Sequence, residues 1–259
     1  MFTYSGIAVN IICPSEPGPI VSPLSTVIKC MTLLDKISEM PSSVRISEMA
    51  KLMGESRATT YQRLFTLTEA GWLERLPDGS FRLTVKANQI GAAAIRQAGF
   101  DNRAQLILDE VAMELGEAIS LVLLDKEKLV IALRAESNSI LRADLQVGAE
   151  LSYKDSASGS IWLAFGSGDL YGRLRSSGHD LPSPQDIAKT RKEQLSVGGG
   201  GETLPGIAAV AIPVLHVNGH CLGSLSTTSP SSRFEPERYL PTMRKAALKL
   251  TELSVSKST

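Results

Sequence analysis

The chain has 259 residues, of which 43% are hydrophobic and 21% charged, with 27 Lys+Arg against 27 Asp+Glu. This composition suffices for a buried core, and the length predicts one large domain or two ordinary ones. It excludes wholesale disorder, and the lack of any apolar run of ~18 residues excludes an integral membrane protein. Three widely spaced cysteines, Cys13, Cys30 and Cys221, form no CxxC motif and indicate reduced thiols in a cytoplasmic protein.

The zero net charge conceals a difference along the chain. Residues 1–22 contain no Lys or Arg and no helical period, and we predict a disordered tail there. Residues 23–98 carry ten Lys+Arg and seven Asp+Glu, so they are positive by three charges and the rest of the chain is negative by three. A mildly basic first third joined to a mildly acidic remainder is compatible with a nucleic-acid contact near the N-terminus.

Residues 23–85 predict three helices and a hairpin. The first helix is capped by Ser25 and carries one apolar stripe, whose members are Val27, Ile28, Met31, Leu34 and Ile37. A short helix, Ile46–Met53, ends at Gly54. The next helix has Ser56 as its N-cap and runs to Ala70, before Gly71 at the left-handed position that follows a helix.

The period changes to two after Gly71, and the turn residues Pro77-Asp78-Gly79 separate two short strands. Two helices joined by a tight turn that holds one Gly are typical of a helix-turn-helix, and the hairpin makes this a winged helix-turn-helix. A helix–Gly–helix stretch is also compatible with simple packing. The leading helix and the wing favour DNA binding.

The rest of the chain predicts a connector helix at residues 86–98 and an α+β domain at residues 99–254. A helix at Ala104–Leu115, with Leu106 among its inward residues, precedes strands at Ala118–Asp125 and Leu129–Ala135. A buried helix starts near Ser160. Strands Ile207–Val217 and Cys221–Ser226 flank Asn218-Gly219, a strong hairpin dipeptide, and a helix, Glu235–Leu253, closes the chain. Helices outside an antiparallel sheet are typical of a ligand-binding sensor domain.

Residues 23–254 resemble the IclR family of bacterial transcriptional regulators. The similarity rests on Ile46-Ser-Glu-Met-Ala, Arg57-Ala-Thr-Thr-Tyr and Thr66-Leu-Thr-Glu-Ala-Gly-Trp-Leu, and further on Ser156-Ala-Ser-Gly-Ser-Ile-Trp-Leu-Ala-Phe and Glu202-Thr-Leu-Pro-Gly-Ile. The resemblance implies a winged helix-turn-helix joined to a GAF-like effector-binding domain, in proteins that work as dimers or tetramers. This chain departs from the family at Gln62, where Arg is usual, and at Thr60 and Arg63, where apolar residues are usual.

The first turns of a recognition helix face base edges and phosphates, so polar side chains there are candidate DNA contacts. Arg pairs with guanine or phosphate, and Gln pairs with adenine. The alternative is that these are solvated residues of an exposed helix. The predicted DNA-binding residues are Ser56, Arg57, Thr59, Thr60, Tyr61, Gln62, Arg63 and, on the wing, Arg82.

Small residues precede an apolar helix at 156–160, and backbone N–H groups at a helix N-terminus bind carboxylates or phosphates. Read alone, the segment can be a simple cap. With the resemblance, it predicts an anion site for an effector. Asp144 would repel a second negative charge, so we expect a small monocarboxylate. The predicted effector residues are Leu141, Asp144, Ser158, Gly159, Glu202, Ala209 and Ser226, with a purely structural role equally open for Glu202.

Other chemistry is not indicated. Residues 156–160 do not fit Gly-x-Ser-x-Gly, and Gly198–Gly201 lacks the Gly-Lys-Ser/Thr of a P-loop, so we interpret it as a flexible loop that could act as a lid. Around the 218–219 turn, His216 is expected to pair with Cys221 and His220 to face away, which gives two ligands where zinc wants four. We therefore expect no metal and no cofactor.

The sequence thus predicts a cytoplasmic, non-enzymatic regulator that binds operator double-stranded DNA as a homodimer or homotetramer, has no membrane partner, and is controlled by a small organic acid. The alternative is a small-molecule sensor or enzyme whose winged helix mediates protein contacts.

Overall fold

The computed structural model describes residues 22–137, 145–200 and 204–255. Almost all of the predicted tail, residues 1–22, lies outside these ranges. The chain divides into two compact units, Met1–Ile90 and Gly91–Thr259. No helix in the described ranges is both long and apolar enough to cross a membrane.

The first unit is a winged helix-turn-helix. Helices α1 (Ser25–Ser38), α2 (Ile46–Met53) and α3 (Arg57–Glu69) precede strands β1 (Leu73–Arg75) and β2 (Phe81–Leu83). The strands are antiparallel, with Leu73 opposite Leu83, and helix α4 (Lys86–Gln97) follows the wing. The helices and the wing occur in the predicted order, and the core lies between them, formed by Leu33, Ile37, Val44, Met49, Leu64, Leu67, Leu73 and Phe81.

The predicted burial of α1 is partly wrong. Its buried residues are Leu33 and Ile37, whereas Val27, Ile28 and Met31 are 49%, 52% and 46% exposed. The N-terminal half of the helix therefore extends past the core of this small unit. Ser25 is not its N-cap either, because the cap position falls on Leu24, which offers no side-chain oxygen.

A partly buried ion cluster connects α1 and α3 to the turn between α2 and α3. Lys29 Nζ lies 3.0 Å from one carboxylate oxygen of Glu55, and Arg63 Nη1 lies 2.6 Å from the other. The side chains of Glu55 and Arg63 are each only 11% exposed. The hydrogen bond from Lys29, helped by the Arg63 charge, lowers the pKa of Glu55 below its usual 4.5.

The second unit is an antiparallel sheet with helices on both faces. Within the described residues the strand order is β5-β4-β3-β8-β7-β6. The strands are β3 (Ala118–Asp125), β4 (Lys128–Ala135), β5 (Glu150–Leu151), β6 (Ser196–Gly200), β7 (Leu204–Leu215) and β8 (Cys221–Pro230). The helices are α5 (Asn102–Leu115), α6 (Ala157–Phe165), α7 (Leu170–Ser176), α8 (Pro184–Glu193) and α9 (Pro236–Val255). This arrangement confirms the predicted α+β class.

Each face of the sheet has its own core. Helices α5 and α9 pack on one face against residues such as Ile119, Val210 and Leu225. Helices α6, α7 and α8 cover the other face, where Trp162 donates its indole N–H to the carbonyl of Val122 at 3.1 Å. The two-fold alternation of side chains along the strands supplies both cores.

Two predictions for this unit are wrong. Leu106 was expected to face the core, but it is 61% exposed because Ile107 and Val111 occupy the buried side of α5. Gly198 and Gly199 are not part of a flexible loop, since they pair with Ala209 and Ala208 in the sheet.

The Glu55 cluster generates a stability prediction. We expect Glu55→Gln to lower the unfolding temperature of the first unit, because it leaves the Arg63 guanidinium half-buried with a neutral partner. Since the folded pKa of Glu55 is lowered, its contribution is present above pH 4.5 and is lost as the pH falls through the folded pKa. Thermal unfolding followed by circular dichroism between pH 3 and 7 measures both effects.

The matched control is Glu74→Gln. Glu74 pairs with Arg82, but their side chains are 46% and 59% exposed, so the loss is expected to stay below about 1 kcal/mol. Equal losses in the two variants would contradict a structural role for the Glu55 cluster.

Candidate DNA-binding surface and effector cavity

Local chemistry fixes where α3 begins. Gly54 ends α2 in the left-handed conformation (φ 62°), which costs a residue with a Cβ but not glycine. Ser56 then caps α3, because its Oγ accepts the backbone N–H of Thr59 at 3.1 Å. Gly71, with φ 75°, follows the far end of the helix. The predicted cap and both predicted glycine positions are confirmed.

The start of α3 determines which side chains point outward. Arg57, Tyr61 and Gln62 are exposed, as is Ser56 at the cap. Arg57 forms no ion pair within the described ranges, so its guanidinium is available to a phosphate or a base edge. Thr59 is also exposed, although its hydroxyl lies 2.9 Å from that of Ser56. These five positions remain predicted DNA contacts.

Two of the predicted DNA-binding residues do not lie on the outward face of α3. Thr60 is 0% exposed, and its hydroxyl donates to the carbonyl of Ser56 at 3.1 Å, because position 60 belongs to the buried stripe with Leu64 and Leu67. Arg63 is turned toward Glu55 and is only 11% exposed. Both positions lie on the inward side of α3, which explains why apolar residues would suit them.

The wing contributes Arg82, whose side chain is exposed and paired with Glu74. An exposed pair of this kind is worth little, so Arg82 can exchange its carboxylate for a phosphate. Arg82 therefore remains a predicted phosphate contact.

A surface groove joins α2, α3 and the wing, and it includes a cation that sequence reasoning missed. Arg45 precedes α2, lies in the groove with Arg57, and is 3.8 Å from Asp78 in the wing turn. The groove has a volume of about 490 Å³. A basic residue directly before the first helix of a helix-turn-helix was the available signal, because that helix approaches the DNA backbone.

The second unit contains a cavity of about 120 Å³ between α6 and the sheet. Its lining includes the apolar residues Ile131, Leu145, Ile207 and Ala209 together with several hydroxyl groups. The hydroxyl residues at the cavity are Ser120, Ser152, Ser156, Ser158, Ser226 and Thr228.

Several of these hydroxyls are placed to donate to a ligand. A buried arginine, Arg134, donates from Nη1 to Ser120 Oγ at 2.9 Å, which leaves the Ser120 proton for another acceptor. Ser158 Oγ likewise accepts from Ser224 at 3.2 Å. Thr228 Oγ1 is buried at the cavity, and within the described residues it has no hydrogen-bond partner. Such an orphaned hydroxyl is uncommon in folded proteins and marks a place for a polar ligand atom.

The predicted effector residues divide into three groups. Ser158, Ala209 and Ser226 are brought together at the cavity. Gly159 is not available, because its N–H is donated to Ser156 Oγ at 3.0 Å and a Cβ there would lie 2.3 Å from the Tyr153 carbonyl oxygen. The remaining predicted residues lie outside the described ranges; they are Leu141, Asp144 and Glu202.

Sequence reasoning missed Ser120, Thr228 and Arg134. The sequence does carry a signal for Thr228, since Ser224, Ser226 and Thr228 alternate along β8 and therefore share one face of the strand. Two further missed residues, Glu150 and Asp155, are exposed carboxylates at the same cavity. Lys128 lies 2.7 Å from the Glu150 carboxylate and offsets its charge, so Asp155 is the carboxylate that would oppose a ligand with two negative charges.

The hairpin around Asn218-Gly219 differs from the prediction in its register. Cys221 pairs with Leu215 rather than with His216, since a bulge occurs at this end of the hairpin. His216 Nδ1 lies 2.8 Å from Asn218 Oδ1, and burial raises the pKa of the Cys221 thiol to about 12. A cysteine binds a metal as its thiolate, so the raised pKa makes Cys221 a poor metal ligand. Within the described ranges no cluster of three or more His, Cys, Asp or Glu side chains could hold a metal.

Comparison with known proteins matches both units. The IclR helix-turn-helix domain matches residues 26–77, and the bacterial transcriptional regulator IclR C-terminal domain matches residues 92–174. XynR, an HTH-type transcriptional regulator of Escherichia coli, is 24% identical over 223 residues, which cover 82% of this chain and 88% of that protein. The transcriptional repressor IclR of Escherichia coli is 23% identical over 235 residues, covering 85% of each chain.

A solved structure shows the same fold. An IclR homologue from Microbacterium hydrocarbonoxydans, crystallised in complex with 4-hydroxybenzoate, superposes with a TM-score of 0.75 and 17% identity, covering 90% of this chain and 100% of that one. The two family matches together cover just over half of the chain, one in each compact unit. The chain therefore belongs to the IclR family of transcriptional regulators, with an N-terminal helix-turn-helix domain and a C-terminal effector domain.

Proposed function

We propose that this regulator binds operator DNA through the exposed face of α3 and the wing, and that a small monocarboxylate in the second unit controls this binding. The DNA contacts are Ser56, Arg57, Thr59, Tyr61 and Gln62 at the start of α3, and Arg82 on the wing. The observation that carries the DNA-binding proposal is the orientation of α3 about its axis. This orientation exposes the polar residues at the start of the helix and buries Thr60 and Leu64. In this proposal the DNA-binding domain is residues 23–85, the connector helix 86–98 and the effector-binding domain 99–254, in a cytoplasmic protein.

The effector proposal rests on the hydroxyl wall of the cavity. Three hydroxyls whose protons are not engaged within the described residues, those of Ser120, Ser158 and Thr228, converge on a small space, and a buried arginine supports one of them. Charge-assisted donors of this kind suit a carboxylate. The cavity is slightly smaller than the ~150 Å³ that holds benzene, so the body of the ligand is one ring or a short chain.

One negative charge fits this site better than two, because Asp155 lies at the cavity, and of the two carboxylates there only Glu150 is offset by a cation, Lys128 at 2.7 Å. The Microbacterium homologue in complex with 4-hydroxybenzoate supports the inclusion of aromatic monocarboxylates among the candidates. An enzymatic role is less well supported, since the partner of the Ser158 hydroxyl is Ser224 rather than an imidazole or carboxylate base.

The DNA proposal predicts the effect of Arg57→Ala. The variant should lose about 1–3 kcal/mol of specific affinity, because one charged contact to a base edge or phosphate disappears. Fold and stability should not change, since Arg57 is exposed. Gel-shift titration on promoter DNA beside the protein's own gene measures the loss. Arg175→Ala, which removes an exposed arginine from the other unit, is the matched control. If both variants bind equally well, Arg57 does not contact DNA.

The effector proposal predicts opposite effects at two neighbouring threonines. Thr228→Val should leave the ligand-free protein as stable as before, or more stable, because it removes an unpaired buried hydroxyl, yet it should weaken effector binding. Thr227→Val should cost about 1–3 kcal/mol, because Thr227 Oγ1 donates to the Ala118 carbonyl at 2.8 Å, and it should bind effector normally.

A thermal-shift panel of short aliphatic and aromatic acids, with dicarboxylates as the comparison, tests this pair. A ligand at ~100 times its Kd contributes about 2.7 kcal/mol, which raises the unfolding temperature of a unit of this size by roughly 5–10 °C. A hit that shifts wild type and Thr228→Val equally would place the ligand elsewhere. A preference for dicarboxylates would contradict the proposed ligand class.

We also propose that the protein is a homodimer or homotetramer. Symmetric half-sites on DNA require two copies, and α1 exposes a row of apolar side chains, Leu24, Val27, Ile28 and Met31, that a second copy can cover. The small residues of α4 also permit close helix contact. We therefore expect light scattering at micromolar concentration to give at least twice 27.8 kDa. A single species of the monomer mass would contradict this assembly.

A further inference from the structure

The outward face of α3 carries an aromatic pair that neither the core nor a polar contact explains. Tyr61 and Phe65 are 41% and 50% exposed, and their ring centroids lie 6.3 Å apart with a tilt of 31°. They stand one helical turn apart, so they form one continuous apolar spot. Neither packs against the core cluster of the first unit, which takes Leu64 and Leu67 from the same helix.

The surroundings of this pair match DNA rather than an apolar protein partner. Tyr61 lines the groove that also contains Arg45 and Arg57, so cations border the aromatic spot on the α2 and wing side. The side chain next to it on the exposed face is Gln62, which can read adenine. An apolar spot bordered by phosphate-binding and base-reading groups complements a groove of the duplex.

The apolar group that the major groove offers is the 5-methyl of thymine. We propose that Tyr61 and Phe65 form a pocket for a thymine methyl in each operator half-site. This inference rests on the proposed DNA-binding role of α3, and it adds a base preference that hydrogen bonding by Arg57 and Gln62 does not provide.

The test uses the full chain and deoxyuridine, which pairs as thymine does but lacks the methyl group. Duplexes that bind the wild-type protein are first selected from a randomised pool. Each thymine of the selected sequence is then replaced singly by deoxyuridine. In each half-site, replacement at one thymine position should weaken binding about fourfold, the value expected for one buried methyl group.

Phe65→Ala should abolish this discrimination, so that its thymine-to-uracil affinity ratio falls to about one at the same position. Leu106→Ala is the matched control, because it removes another exposed apolar side chain, 61% exposed against 50% for Phe65, from the other unit and should keep the wild-type ratio. Light scattering of Phe65→Ala separates a DNA contact from a contact between copies.

The possible outcomes separate failure of the methyl pocket from failure of operator binding. If no sequence is enriched from the pool, operator binding itself fails, and this inference fails with it. If a sequence is enriched but every deoxyuridine duplex binds as tightly as its parent, the methyl pocket alone is overturned. The same holds if Phe65→Ala keeps the wild-type ratio, or if it changes only the association of the protein.

Discussion

The DNA-binding surface depends on one constraint, the fixed orientation of α3 about its own axis. The core holds Thr60, Leu64 and Leu67, and the cap at Ser56 sets the first residue of the helix. Because successive residues of a helix are about 100° apart, these two conditions fix the directions of the other α3 side chains. Arg57, Tyr61, Gln62 and Phe65 must point outward, and Arg63 must point toward the turn before α3, where Glu55 neutralises it.

A comparable constraint, with a period of two, shapes the effector cavity. On β8, Ser224, Ser226 and Thr228 face α6, whereas Leu225 enters the core beneath α5 and α9. The glycines of β6 also lie near the cavity. Gly198 lies against the first turn of α6, and Gly199 lines the cavity. A Cβ at position 198 would already be in van der Waals contact with Ala157, so a larger side chain there would press on α6.

The features that could be predicted from the sequence are those decided by neighbours in the chain. The Ser56 cap, the glycines at 54 and 71, the wing turn and the 218–219 hairpin depend on a few adjacent residues. By contrast, the contact of Arg63 with Glu55 requires α3 to pack against the preceding turn. The bond from Arg134 to Ser120 crosses two strands. Local pattern contains no information about either pair.

The same limit explains the errors on α1 and on residues 198–199. A helical stripe identifies which side of α1 is apolar, but the size of the core decides how far along the helix that side is covered. Glycine has low strand propensity, so pairing of Gly198 and Gly199 with β7 reflects the sheet rather than the glycines.

Ion pairing also clarifies how a weakly basic unit can bind DNA. Within the described ranges, Lys29 and Arg63 are engaged by Glu55 and Arg82 by Glu74, whereas Arg57 on the outward face of α3 forms no ion pair. A protein with few phosphate contacts gains little from counterion release. Phosphate contacts carry no sequence information, so specificity must come from contacts to base edges. The uncharged residues on the outward face of α3, Tyr61, Gln62 and Phe65, are the groups in position to supply those contacts.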